Sequence, residues 1–192
     1  MEPTEIREEI KEEFEKEEKK EKWINYLALT TVILAVAATL SSFKLEHYSV
    51  DSVLKQSMAS DQWAFYQSKS VKGYLYELQK EKIDLELKTI EKSASPDVLQ
   101  QYQQKVESYG SQVKKYEQEK AQIMNAAKHL EKERDEAQEH RELFGLAIIF
   151  LQLGILISSI AALLKNKAVW LVGTIVGIAG MVYFANGFVK IF

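Results

Sequence analysis

Two short stretches hold the residue types that chemistry needs. Residues 59–70 read ASDQWAFYQSKS and gather Asp61, Gln62, Trp63, Phe65, Tyr66, Ser68 and Lys69 into about three helical turns. Further on, His129, Glu133, Glu136 and His140 follow steps of four, three and four, which places them on one helix face. Imidazoles and carboxylates so arranged could hold a divalent metal. An acid-rich, solvated face accounts for the same spacing, and the Glu-x-x-His step of di-iron bundles does not occur. No metal set is assigned. The chain has no cysteine, which removes thiolate chemistry and disulfides. It also lacks G-x-S-x-G and the phosphate loop G-x-x-x-x-G-K. The expectation is a protein that is not an enzyme and carries no cofactor.

The elements that position these residues follow from the segregation of apolar and charged side chains. Trp23–Phe43, Leu143–Leu164 and Val169–Phe188 contain no Asp, Glu, Lys or Arg. A hydrocarbon core of about 30 Å needs a helix of about 20 such residues, and these runs show no polar face. The sequence therefore predicts an all-α membrane protein with transmembrane helices at 23–43, 143–164 and 169–188. The first run is longer than the apolar part of a secretory signal and reads as an uncleaved anchor. Residues 1–22 form a charged helix with ten acids and six bases, along which Ile6, Ile10 and Phe14 draw a thin apolar line.

Residues 44–142 are rich in Glu, Lys, Gln, Leu and Tyr, with one proline, Pro96, and two glycines, Gly73 and Gly110. That composition favours long helices. The break falls in KSASPD: proline disfavours helix at Ser95 and suits the first turn of a new one, so the turn lies near 93–96 with Ser95 as N-cap. The outcome is a long antiparallel helical hairpin, a coiled coil, between the first two spans, with HYSVDS at 47–52 as its weakest part. On the second arm Leu99, Tyr102, Val106, Tyr109, Val113 and Tyr116 alternate steps of three and four, and Ile123, Ala127, Leu130 and Ala137 continue the row. On the first arm Val71, Leu75, Leu78 and Leu85 fit a seam, which Ser57, Asp61, Ala64 and Ser68 continue towards the membrane. Small residues there predict closer packing near the membrane. The surplus rings Trp63, Phe65, Tyr66, Tyr74 and Tyr76 exceed what one stripe buries and favour a bundle of several chains.

Within the spans, Gly173, Gly177 and Gly180 form a small-residue face for close helix packing, against the second span or another subunit. Gln152, deep in the second span, suits an interhelical hydrogen bond, with pore lining as the lesser alternative. The spans hold no ionisable residue of the kind that transporters use. Lysines of the hairpin are interleaved with acids, so no basic stripe suggests nucleic acid. Lys19, Lys20, Lys22, Lys165 and Lys167 crowd one side of the membrane, against Lys44, Arg141 and Lys190 on the other. The positive-inside bias puts the N-terminus in the cytoplasm and residues 44–142 outside it.

Ser60-Asp61-Gln62-Trp63-Ala64-Phe65-Tyr66-Gln67-Ser68-Lys69-Ser70-Val71-Lys72 resembles the signature of a bacterial membrane-protein family known only as a domain of unknown function. The resemblance runs from end to end: a charged N-terminal helix, one span, this motif, a Glu/Lys-rich hairpin, then two spans joined by a short basic turn. It implies the architecture and a place in the bacterial inner membrane, and supplies no reaction. Members often carry a His-rich N-terminus, which this chain lacks. The motif reads first as a packing seam at the base of a homo-oligomeric bundle, in which Asp61 and Lys69 each find a partner on another helix. A ligand or lipid-headgroup site and a catalytic site are the alternatives. The function that follows is a self-associating structural or scaffold protein of the bilayer. An insertase-like membrane-protein biogenesis factor or an oligomeric channel stands as the alternative.

Overall fold

A computed structural model describes residues 3–190, with side chains from 22 to 190. The apolar line of Ile6, Ile10 and Phe14 lies outside the residues whose side chains are described. The described residues form three helices: α1 (Pro3–Ile90), α2 (Pro96–Leu164) and α3 (Lys167–Val189). Each contains a stretch long and apolar enough to cross a membrane. Helix α1 runs unbroken through 47–52, which corrects the expectation of a weak point there. That segment has neither proline nor glycine, and Ser52 is buried.

Both turns are set by short-range chemistry. After Ile90, its carbonyl accepts from the N–H groups of Ser93 and Ala94 at 2.9 Å each. Pro96 then takes the first position of α2, where its missing N–H costs nothing, and the Ser95 carbonyl accepts from Leu99 N–H at 3.1 Å. Between α2 and α3, Lys165 adopts the left-handed conformation at φ 49°. Asn166 N–H reaches back to the Ala161 carbonyl at 3.1 Å and Lys165 N–H to that of Ala162 at 3.3 Å, a Schellman closure. The Asn166 side chain then caps α3 by accepting from Ala168 N–H at 2.9 Å.

The chain divides into two units, one of Met1–Val50 with Ala137–Phe192 and one of Asp51–Glu136. In the first, Leu34, Ala37 and Ala38 of α1 pack with Ala147 and Leu151 of α2, and Ile155, Met181, Tyr183 and Phe184 lie against this cluster. A second cluster joins Trp23, Leu27 and Ala161, flanked by Val169 and Trp170. Helices α2 and α3 touch backbone to backbone: a Cβ on Gly154 would lie 2.9 Å from Gly177 Cα. Less than a third of each apolar stretch is buried inside the chain, 28% for α1 and α2 and 17% for α3.

The second unit is an antiparallel helix pair. Lys55 meets Glu133, Lys69 meets Glu119, Gly73 meets Tyr116, and Gly110 meets Lys80. On α2, Leu99, Tyr102, Val106, Tyr109, Val113 and Tyr116 are half-buried, and Ile123 and Ala127 buried, while the residues between them are mostly exposed. On α1 the inward row is Ser52, Lys55, Ala59, Gln62, Tyr66, Lys69, Gly73, Tyr76, Ile83 and Leu87, all buried or half-buried. The row expected from the sequence is therefore corrected. Ser57, Asp61, Ala64, Ser68, Val71, Leu75, Leu78 and Leu85 are all exposed. The two rows are two residues out of phase, about 200° apart around the helix.

Candidate functional site

The motif at 59–70 is divided between these two rows. Gln62, Trp63, Tyr66 and Lys69 lie half-buried, and Asp61, Ala64, Phe65 and Ser68 face out. Ala59, 1% exposed, lets α2 approach the base of the motif. Trp63 donates from Nε1 to Glu131 at 2.8 Å and meets Tyr66 edge to face at 5.6 Å. Lys69 bridges to Glu119 at 2.7 Å, with its ammonium 5.2 Å from the Phe65 ring and 5.5 Å from that of Tyr116. Lys120 answers from α2, 5.6 Å from both Tyr66 and Tyr74. Of the surplus rings expected to favour a bundle of chains, Trp63, Tyr66 and Tyr76 are thus engaged within the chain, and Phe65 and Tyr74 are exposed. Lys69 has the partner on another helix that its spacing implied. Asp61 has none among the described residues.

Electrostatics in this unit is local. Lys55 donates to Glu133 at 2.9 Å. That hydrogen bond holds the Glu133 carboxyl below its ordinary range, helped by the charges of Lys55 and His129, and raises the Lys55 ammonium. The bond from Lys69 lowers Glu119 likewise, with Lys115 and Lys72 adding to it. Lys120 is raised first by its bond to Glu117. Arg134 reaches across to the Gln56 carbonyl oxygen at 2.5 Å. Such pairs fix register more than they add stability, because exposed ion pairs contribute little.

The four residues read as a metal face do not converge. His129 is 3.6 Å from Glu133, whose oxygen is also held by Lys55. His140 belongs to the other unit, where it hydrogen-bonds the Gly187 carbonyl at 2.8 Å and stacks on Tyr48 at 4.7 Å. Among the described residues no group of three or more His, Asp or Glu could hold a metal.

Among the mostly polar exposed residues of the hairpin unit, one row is apolar. Val71, Leu75, Leu78 and Leu85 are 57–65% exposed. Beside them, a groove of about 540 Å³ is lined by Leu78, Leu85, Ile90 and Tyr102 with Glu81, Lys82, Glu86 and Thr89. A smaller one of about 320 Å³ lies between Leu75, Tyr76 and Tyr116. Neither holds the nucleophile, base and oxyanion donors that catalysis needs together.

In the other unit, the glycine face closes inside the chain. A Cβ on Gly173 would lie 2.8 Å from Ser158 Oγ, one on Gly177 2.6 Å from Leu34, and one on Gly180 2.8 Å from the Leu151 nitrogen. Gln152, the fourth residue expected in packing, is exposed on the opposite side of α2. Sequence reasoning missed Gly154 and Leu34, the other halves of these contacts. Gly154 was legible as a small residue two positions from Gln152, but its register against Gly177 was not.

A family model described as a domain of unknown function (DUF4337) matches residues 23–190. No curated protein and no solved structure matches the chain.

Proposed function

The chain belongs to the DUF4337 family, a domain of unknown function, and from that premise we propose that it is a membrane-anchored scaffold that self-associates through the outer face of its first hairpin arm. One observation carries this reading. The apolar heptad row Val71, Leu75, Leu78 and Leu85 is exposed, because a different row of the same helix already pairs with α2. A repeating leucine row on a polar helix is what a further helix binds, and a contiguous exposed apolar patch marks an interaction surface. The occupant is a second copy. Two copies in one membrane carry identical rows, so the leucines of one copy meet those of the next. Phe65 extends the contact at the motif, and the groove near Leu85 receives the neighbouring side chains. The protein performs no reaction and takes no cofactor. It sits in the bacterial inner membrane with its N-terminus in the cytoplasm and residues 44–142 outside, as the lysine distribution supports.

Leu75→Glu with Leu78→Glu tests the interface without touching the inner row. The full chain in detergent should fall to smaller species by native mass spectrometry and keep its helix content. A wild type that is already monomeric, or a double variant with an unchanged subunit count, refutes self-association through this face. Ser95→Cys tests the orientation: it should react with an impermeant thiol reagent in intact cells. Labelling only after membrane rupture would put the hairpin in the cytoplasm and favour the insertase-like reading.

A further inference from the structure

Most hydroxyls in the three apolar stretches have a partner inside the chain, while Ser158 Oγ and Trp23 Nε1 are buried without one among the described residues. Thr31, Thr39, Ser41, Ser42, Ser159 and Thr174 each donate to a carbonyl one turn back. Gln152 differs. It stands at the middle of the apolar part of α2, is exposed, and has no hydrogen-bond partner among the described residues. Hydrocarbon offers an amide nothing to bond with, so each unmet group there is costly. The residues around it form a row: Ile149, Gln152, Leu156, Ser159 and Leu163 recur at steps of three and four and are all exposed. The other face of α2, with Ala147, Leu151, Gly154 and Ser158, is consumed inside the chain.

We propose that Gln152 is the centre of a second self-association seam, inside the membrane, in which the α2 helices of two copies cross and the two amides hydrogen-bond each other. A carboxamide carries one acceptor and one donor group. Two copies related by a two-fold axis therefore satisfy each other, N–H of one to C=O of the other, with no further chemistry required. The flanking Ile149 and Leu156 supply the heptad packing of a left-handed crossing. This rests on the membrane-spanning, self-associating reading above, but uses a surface separate from the hairpin row.

The absence of cysteine makes the test direct. In the purified full chain reconstituted into vesicles, Leu156→Cys should cross-link to its counterpart. Val36→Cys, on the exposed face of α1, should not. Adding Gln152→Leu to Leu156→Cys should lower the cross-linked fraction by about threefold to tenfold, the range expected of an interhelical side-chain hydrogen bond in lipid. Gln152→Asn should retain most of it. Gln152→Leu replaces an exposed residue, so folding is not at stake. An equal cross-linked fraction with Gln152→Leu overturns the proposal. So does no cross-link at 156 when Leu78→Cys does cross-link, an outcome that leaves the hairpin reading standing. The reverse pattern, with cross-linking at 156 and none at 78, overturns the hairpin face and sustains the Gln152 seam.

Discussion

The two units close their helix contacts by opposite means. In the apolar unit, the crossing of α2 and α3 is made by residues with almost no side chain: Gly154, Gly173 and Gly177 meet backbone to backbone, and Leu34 fills the remaining space over Gly177. In the hairpin unit, the inner rows meet through long side chains, with Tyr76 ringed by Tyr109 and Tyr116 and with lysines bridging to glutamates. The difference reflects the solvent that each suits. Lipid tails are as apolar as leucine, so helices there gain from close dispersion contact, which small residues permit. In water, bulky rings gain from burial and charged tips from staying wet. Each unit also leaves an exposed heptad row, Val71 to Leu85 on α1 and Ile149 to Leu163 on α2, and these rows carry the two proposed interfaces.

The sharpest way to break that comparison is to put bulk where the glycines meet. Gly154→Val places its Cβ 2.9 Å from both the Gly177 Cα and its nitrogen. Backbone cannot swing aside as a flexible side chain can, so α2 and α3 must separate. Overpacking of this kind costs about 3 kcal/mol at the upper end of its usual range. Unfolding of the detergent-solubilised chain should shift accordingly. A variant as stable as the wild type would show that the crossing is not close-packed.

The matching substitution in the hairpin should go the other way. Gly73 is buried, yet a Cβ there would lie 3.5 Å from Tyr116 Cβ, an ordinary contact. Gly73→Ala therefore fills space without strain and gains helix propensity, worth about 0.8–1 kcal/mol. A higher melting temperature is expected by circular dichroism. A lower one would mean that the hairpin, like the spans, needs backbone contact.

The second arm was legible because its inward row is made of Leu, Tyr, Val, Ile and Ala, the residues a heptad search is built to find. The first arm misled for the same reason. Val71, Leu75, Leu78 and Leu85 are the stronger apolar pattern, but three tyrosines on α2, at 102, 109 and 116, take the space between the helices. The arm opposite must then fit around those rings, with Gly73 against Tyr116 and Tyr76 between Tyr109 and Tyr116. That complementarity is a property of the pair and is invisible in either arm alone. The motif divides for the same cause: its Trp63–Glu131 bond depends on register across a turn. In the spans, length and composition sufficed for three helices, and the glycines announced a close face. Its partners, Gly154 and Leu34, required the register of the folded chain.

The smallest expected effect concerns the ion pairs, which separate the two units by acidity. Glu133 and Glu119 are ion-paired with Lys55 and Lys69, and both carboxyls titrate below their ordinary value of 4.5. A carboxyl lowered in the folded state adds stability that is present above its unfolded value and lost as pH falls through the folded one. The raised Lys55 ammonium adds stability that persists below its ordinary 10.5 and disappears above its folded value. The hairpin should thus be flat in stability through neutral pH and loosen below about 4.5. These pairs are partly exposed, so the change is modest and shrinks with added salt. Protease cleavage within 51–136 should quicken slightly in acid when assayed with an acid-active protease, and cleavage within 143–189 should not. Glu133→Gln with Glu119→Gln should remove most of that acid dependence while keeping the inner row in place. If the double variant retains the full dependence, other carboxylates govern it, and the two bridges set register without contributing to the pH response.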